Sequence, residues 1–446
     1  MSPNRQVTQD APHVVVIGAG FAGQSVVDSL AKGSANVRVT VIDHNLYSTF
    51  QPLLYQVATG GLNPGDVSYA VGGFAGRRRA RYIQGELAAV DAAQKRITLA
   101  DGRELGYDYL VLAIGVTASF FGIPGAEQNA FALYTRRDSV VLRDHIMAGF
   151  ERLSASDSGG DEEFAVTVVG GGATGVELAG TLAELRGAVL KATFPDVDPS
   201  RVHIRLVEMA PQLLMPFHPK LRQYTFDQLA RRGVDIRLNT RIREVQPGKV
   251  LLDDGQTVHS DLTVWAAGVA APKSVRHWGF AQGKNGRITV GGDLRVTGQD
   301  AIFAVGDIGI NPDDPSPQLA QPALQQGHHA GAQIKRLIAG EDTRPFSYHD
   351  KGTMATIGRR SAVVQLAGGL RMTGTIAWLA WLALHLVYLL GFRNRVSTLI
   401  NLSWRYIAWG HGGGVIVGDP PQEPVPQAGS QTSVADTHAP SSSVAE

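Results

Sequence analysis

The chain has 446 residues, of which 44% are hydrophobic and 18% charged, with 52 glycines, a formal net charge of +1 and no cysteine. That length suits two or three domains with real cores, and the glycine content suits an α/β enzyme with many tight turns. The near-zero charge gives no field for nucleic acid, and the missing cysteines exclude disulfides, thiolate metal sites, iron–sulfur clusters and a thiol redox relay.

Residues 1–12 are polar and lack an apolar run, so a flexible N-terminus is expected there and not a signal peptide. Next comes VVVIGAGFAG, Val14 to Gly23. Its β-branched run reads as a buried parallel strand, followed at once by a G-x-G-x-x-G turn (Gly18, Gly20, Gly23) and a helical segment. The second strand, VRVTVID, ends in Asp43 about twenty residues on. This is the dinucleotide fingerprint: glycines for a tight turn, a helix N-terminus for the pyrophosphate and an acid for a ribose hydroxyl. Residues 44–60 are apolar without strand alternation and read as a loop and short helix over the bound dinucleotide. Residues 82–112 read as a β-meander with a turn at Asp101-Gly102, ending in the buried strand YLVLAIG. By composition, 157–163 is an exposed linker.

The opening pattern then returns. FAVTVV is a buried strand, Gly170, Gly172 and Gly175 form a second G-x-G-x-x-G, VELAGTLAEL is a helix, and RVHIRLVE ends in Glu208 after an extended crossover. A repeat of the whole motif in one chain implies two dinucleotide sites. Residues 234–269 repeat the meander and strand. The segment 300–308 runs as a strand into Gly306-Asp307, which aims an acid at a ligand polyol from a strand's carboxyl end. A helix with Pro322 in its first turn follows. Between Arg371 and Arg393 lie 21 uncharged residues, in which Trp378, Trp381, His385, Tyr388 and Phe392 recur at steps of three or four. Length permits a membrane span, but an aromatic stripe with one histidine, with Leu and Ala on the opposite face, reads better as a helix lying in the membrane interface; a buried interdomain or dimer helix is the alternative. A second such segment follows, with Arg393, Arg395 and Arg405 set to meet anionic headgroups. The Pro/Gln/Ser/Ala-rich tail is expected to be disordered.

Two dinucleotide sites suggest a permanent carrier at one and a mobile donor at the other. The first site, completed by Asp307, suits non-covalent FAD; the second suits a nicotinamide. Glu208 favours NADH, because a 2′-phosphate would meet like charge, and strand alternation turns Arg205 to the opposite face. Without cysteine, electrons leave the flavin directly, for a quinone, oxygen or a small redox protein. The membrane-seeking segment favours quinone. His328 and His329 lack a third ligand at useful spacing, so no metal is expected.

Five segments, FQPLLYQVATG (50–60), GGGATGVELAG (170–180), FAVGD (303–307), AQPALQQG (320–327) and KGTMATIGR (351–359), stand in order with TGTIAWLAWLALHL after them. Over about residues 12–410 the chain resembles the bacterial type II NADH dehydrogenases, non-pumping NADH:quinone oxidoreductases. The resemblance implies a fold of two Rossmann-like domains, glutathione-reductase-like, with a C-terminal amphipathic membrane-binding region. The implied layout is FAD domain 13–125 and 271–345, NADH domain 126–270, membrane region 346–412 and tail 413–446. Site residues carried over are Glu177 as proton relay, Gln321 and Gln325 (at i and i+4) lining the quinone entry, and Lys351 as a fixed charge near flavin and quinone. Gln326 turns to the neighbouring face as a bystander. Phe21, Ala22, Gln51, Gly115, Ala320, Gln321, Thr174, Glu177 and Gly268 join the two glycine loops, Asp43, Asp307 and Glu208 in binding cofactors. The implied partners are NADH, menaquinone or ubiquinone, the membrane surface through 370–410 on the cytoplasmic face of the plasma membrane, and a second copy of the chain. A soluble ferredoxin or rubredoxin reductase, or a non-catalytic NADH-responsive flavoprotein, are the rival readings.

Overall fold

The computed structural model describes residues 10–32, 36–156 and 162–407. The linker segment 157–161 and the tail lie outside these residues.

The first sheet grows from the β-branched runs. Strands β1 (His13–Ile17), β2 (Arg38–Asp43), β3 (Arg81–Gln84) and β4 (Tyr109–Leu112) are parallel, and helix α1 (Phe21–Ala31) follows β1. A short helix α2 (Leu54–Ala58) precedes β3. Five further strands, β5 (Ala130–Ala132), β6 (Phe164–Val169), β7 (Val202–Val207), β8 (Asp235–Arg237) and β9 (Leu262–Trp265), form a second parallel sheet, with α3 (Arg136–Ala155) before β6 and α4 (Ala173–Glu184) after it. The first sheet is completed only by β10 (Ile302–Ala304), giving the order β10-β4-β1-β2-β3. The second sheet, ordered β5-β9-β6-β7-β8, is thus inserted between two neighbours of the first. Both sheets are buried on two faces, which is why β1 and β6 read as continuous apolar runs and not as alternating ones.

The two expected meanders begin later than their sequence suggests. Arg81–Gln84 and Asp235–Arg237 pair in parallel with β2 and β7, and only the strands within 87–106 and 242–259 form antiparallel ribbons. The break in the first case is at Gly85, whose amide donates to the Asp43 carbonyl (3.0 Å). A three-residue strand, Tyr47–Thr49, also stands inside the stretch expected to be loop and helix.

After β10, helix α5 (Ala320–Ile338) crosses α1 at very close range. A Cβ on Gly327 would stand 2.2 Å from the Ala22 carbonyl oxygen, and one on Gly331 2.6 Å from the Ser29 Cβ. Ser25 and Ser29 hydroxyls donate to the Leu324 and His328 carbonyls across the gap. This contact brings the first turn of α5 beside the first turn of α1.

A three-stranded antiparallel sheet, β11 (Thr353–Gly358), β12 (Ser361–Gln365) and β13 (Arg371–Thr373), then packs on α4. A Cβ on Gly180 of α4 would lie 2.1 Å from the Ile357 carbonyl oxygen. Alanine in a helix interior ordinarily gains roughly 0.5–1 kcal/mol over glycine, but here it must push β11 away. Gly180→Ala is expected to destabilise the protein by about 1–3 kcal/mol net, seen as a lowered midpoint in urea unfolding.

Helices α6 (Gly374–Tyr388) and α7 (Phe392–Ile407) end the described chain, and no helix among the described residues is long and apolar enough to cross a membrane. The aromatic stripe on α6 faces the protein, not outward: Trp381 is 1% exposed and Trp378 9%, and Trp381 packs near Tyr55. The aliphatic side is the outward one, with Ile376 71% and Val387 64% exposed; of the stripe only Phe392, at the start of α7, points out. An aromatic periodicity marks a packing face as readily as a lipid face, and the His385 ring finds a protein partner here in the Trp381 carbonyl. Helix α7 is amphipathic with its polar face inward. Ser397 and Asn401 both donate to the buried Asp66 carboxylate (2.6 and 2.7 Å), and Asn394 donates to the Ser68 carbonyl. Leu399, Ile400 and Trp404 are exposed on its other side. Arg395 is spent on the end of α6, donating to the Val387 and Leu389 carbonyls (2.7 Å each). Arg393 is exposed, and the Arg405 side chain lies outside the described residues.

Candidate active site

The two glycine loops are built alike, atom for atom. Gly18 donates to the Ile42 carbonyl and Gly170 to that of Val207 (2.7 and 2.8 Å), closing each turn against the acid-bearing strand. A Cβ on Gly23 would meet the Gly18 carbonyl oxygen at 1.9 Å, and one on Gly175 the Gly170 oxygen at 1.8 Å, so protein backbone alone demands these glycines. The middle glycines differ. Around a Cβ on Gly20 or Gly172 nothing stands within 4 Å. Each is the N-cap of its helix, with no side-chain cap and no acid in the first turn. The unpaired first-turn amides and the open space beside them fit a diphosphate.

The acids hold the loops. Asp43 accepts from the Ala19 amide (2.7 Å) and the Asn45 amide (2.8 Å); Glu208 accepts from Gly171 (2.5 Å) and Ala210 (2.6 Å). Arg205 is paired with Asp235 (2.8 Å), on the other side of its strand from Glu208.

Between the loops lies a cavity of about 540 Å³. Of the residues singled out from sequence, Phe21, Gln51, Ala320, Gln321 and Asp307 line it from the first sheet's side, and Thr174, Glu177 and Gly268 from the second. Lys351, an exposed loop residue, lines it as well. Gly18, Gly23, Gly170 and Gly175, with Ala22, stand behind these as turn and packing residues, and Gly115 takes the left-handed φ of +69° that its turn requires.

Gln325 lies elsewhere. Its amide is committed at both ends to the backbone of His349, donating to the carbonyl (2.9 Å) and accepting from the amide (3.0 Å), and it does not line the cavity. Gln326, expected to be a bystander, is buried and accepts the Gly306 amide (2.7 Å), fixing the turn that presents Asp307. Identical amides one residue apart cannot be told apart by spacing when neither solvent exposure nor the partner backbone is known.

Glu177 sits in the fifth position of α4, 8% exposed, where β11 and α6 close over it. Burial pushes its carboxyl up to about 8. Two opposing influences are weaker: the Thr356 amide donates to Oε1 (3.2 Å), and the Trp381 indole lies close enough to favour the ionised form without reaching hydrogen-bond geometry. The helix dipole therefore loses to desolvation, and at neutral pH the group is a carboxylic acid. Asp307 is likewise pushed up, to about 6, by burial, against the nearby Arg287 guanidinium.

Among the cavity residues that carry no site role in the sequence reading are Tyr134, His385 and Tyr388. Tyr134 is deeply buried, which raises its phenol to about 12 and keeps it a neutral donor. His385 and Tyr388 reach the cavity from α6. Their helical spacing with Trp381 was visible in the sequence; which face of α6 is the inner one was not. The cavity rim carries Leu319, Leu366 and Leu384, each exposed while lining it, and Leu384 belongs to the same helix as the outward aliphatic face.

Residues 12–327 match the family described as pyridine nucleotide-disulphide oxidoreductase. A curated protein of Mycobacterium tuberculosis, Type II NADH:quinone oxidoreductase NdhA, is 37% identical over 418 residues, covering 89% of this chain and 86% of that protein. The Type II NADH:quinone oxidoreductase of Staphylococcus aureus is 33% identical, covering 81% of this chain and 91% of its own length. Among solved structures, NDH2 from Plasmodium falciparum in complex with NADH superposes with a TM-score of 0.82 at 19% identity, over 90% of this chain and 99% of that one. At that identity the likeness concerns the fold.

Proposed function

The chain belongs to the type II NADH:quinone oxidoreductases within the pyridine nucleotide-disulphide oxidoreductase family, and from that premise we propose how its own residues carry electrons from NADH to a respiratory quinone without pumping protons. The observation that carries the reading is the single cavity lined from both glycine-loop helices and rimmed by exposed leucines.

FAD belongs at the first loop, over Gly20 and Phe21, with Asp43 at its ribose end and Asp307 and Ala320 beside its polyol and ring. The chemistry supplied by a bound FAD is acceptance of a hydride from NADH and return of the electron pair to quinone. NADH belongs at the second loop, over Gly172 and Thr174, with Gly268 against the nicotinamide side. Tyr134 and Gln51, joined backbone to amide (3.4 Å), wall off the floor. Quinone enters between Leu319, Leu366 and Leu384 and reaches Gln321, whose amide offers a donor to a carbonyl oxygen. Glu177 holds a proton at neutral pH at the junction of the two sides, as quinone reduction requires. Lys351 sets positive charge where reduction builds negative charge. The outward aliphatic faces of α6 and α7 lie on the cytoplasmic leaflet of the plasma membrane, so that the leucine rim opens toward lipid. These faces also offer a contact for a second copy of the chain.

Anaerobic stopped-flow on full-length holoprotein tests the reading by separating the half-reactions. NADH bleaches the flavin absorbance, and menaquinone or ubiquinone restores it. Gln321→Ala is expected to slow restoration about tenfold, the loss of one or two hydrogen bonds, and to leave bleaching unchanged; equal slowing of both would place quinone elsewhere. Glu208→Gln acts on the other side. The amide replaces one of two acceptor oxygens by a donor facing a backbone N–H, so NADH binding weakens, and removal of the charge lets NADPH in. The NADH-to-NADPH ratio of kcat/KM is expected to fall about tenfold; an unchanged ratio would remove Glu208 from the nucleotide site.

A further inference from the structure

One polar ring in the cavity has no part in the scheme above. His385 stacks on the Trp381 indole, with ring centroids 4.0 Å apart, and Phe50 meets it edge-on at 6.1 Å. The ring therefore has little freedom to turn. Its Nδ1 stands 2.7 Å from the Trp381 carbonyl oxygen, one helical turn back. A bare Nδ1 lone pair at that distance would oppose the oxygen's own lone pairs, so the ring proton resides on Nδ1. Nε2 is left as an acceptor. The ring does not escape this by taking a second proton, because burial holds its pKa down at about 4. With Nδ1 committed to the Trp381 carbonyl, the one ring nitrogen His385 has left for a ligand in the cavity is an acceptor, whereas Glu177, also beside Trp381, is protonated and a donor.

A quinone presents only carbonyl acceptors, whereas its two-electron, two-proton product presents hydroxyl donors. We propose that His385 sorts the two redox forms, its Nε2 accepting a hydrogen bond from a hydroquinone hydroxyl and offering the oxidised form's carbonyl oxygen only a second lone pair. This rests on the reading of the cavity as the quinone site. Its consequence is a built-in retention of product: the form leaving the site is held at His385 by a bond that the entering form cannot make. His385 is a specificity residue in this sense, and removing it weakens product inhibition.

The test is equilibrium dialysis of oxidised, full-length holoprotein without NADH against duroquinone and its hydroquinone under anaerobic conditions. His385→Phe keeps a stacking ring and removes the acceptor. It is expected to weaken hydroquinone binding about three- to tenfold while duroquinone binding holds or tightens, so the ratio of the two dissociation constants moves; a general loosening of α6 would weaken both alike. Leu324→Trp, which fills the cavity, supplies the control. If Leu324→Trp abolishes binding of both forms but His385→Phe leaves their ratio unmoved, the role of His385 is overturned and the cavity stands. If neither form responds to Leu324→Trp, the quinone site itself is misplaced and this proposal falls with it. Should His385→Phe fail to fold, the wild-type protein decides alone. The dimethyl ether of the hydroquinone, which has no donor, is expected to bind no tighter than duroquinone, and an ether bound as well as the hydroquinone overturns the proposal.

Discussion

Glu177→Gln is expected to slow reoxidation of the flavin by quinone about 10²–10⁴-fold, the range for loss of a positioned general acid, and to leave bleaching by NADH within a few-fold of wild type. The amide keeps the shape and the acceptor for Thr356 but holds no transferable proton. The same substitution has a second effect, on stability, with a definite sign. The carboxyl's ordinary value of 4.5 is raised to about 8 in the folded protein. Between those two pH values the folded chain holds a proton that the unfolded chain has released, so stability falls as pH rises through the window. Glutamine has no such dependence. Relative to Glu177→Gln, wild-type stability should therefore decline from pH 4.5 to 8 by several kcal/mol, about 1.4 per pH unit of the shift. Urea unfolding of both proteins at four or five pH values measures it, and parallel curves would mean that Glu177 is ionised at neutral pH. Activity that depends on the protonated acid should in turn fall above about pH 8.

The triple substitution Phe392→Glu, Ile400→Glu and Trp404→Glu should abolish partitioning onto vesicles of anionic phospholipid. These side chains are 83%, 60% and 63% exposed and sit opposite the polar face that docks α7 through Asp66. Burying each in the interface is worth about 1.5–3 kcal/mol, so the three together account for more than roughly a thousandfold in partition. Because none of them holds the helix to the protein, the thermal midpoint and turnover with a water-soluble quinone should hold. Cosedimentation with vesicles reads the first, and a melting curve with a steady-state assay reads the second. Undiminished partitioning would shift membrane contact to another face.

The architecture was legible because its signals are local. The runs at Val14–Ile17 and Phe164–Val169, each feeding a three-glycine turn with an acid further on, leave few alternatives to twin dinucleotide folds, and Gly306-Asp307 returns to the first sheet as read. The errors arose where a pattern has two physical solutions. The stripe Trp378–Trp381–His385 has the same period whether it meets lipid or protein, and it meets Tyr55 and Phe50. VDIRLN and the start of 82–112 alternate enough to pass for ribbon strands, but their edges are taken by β7 and β2. Gln325 and Gln326 both hold backbone outside the cavity, which their spacing did not show because their partners, His349 and Gly306, are distant in sequence. Tyr134 carried no motif at all, and only the fold brings it opposite Asp307.

The paired clasps of Asp43 on Ala19 and Glu208 on Gly171 bear on affinity in a way that contact lists miss. Each acid spends hydrogen bonds on its own loop, which leaves fewer acceptor sites for a ribose than a free carboxylate would have. In exchange the loop is already ordered before any nucleotide arrives, and fixing several backbone residues would otherwise cost about 1–2 kcal/mol each at the moment of binding. That entropy is met once, during folding, by the whole domain. Such a preorganised loop favours rapid exchange of nucleotide at the second site, since NADH must arrive and NAD⁺ depart on every turnover without the loop refolding each time.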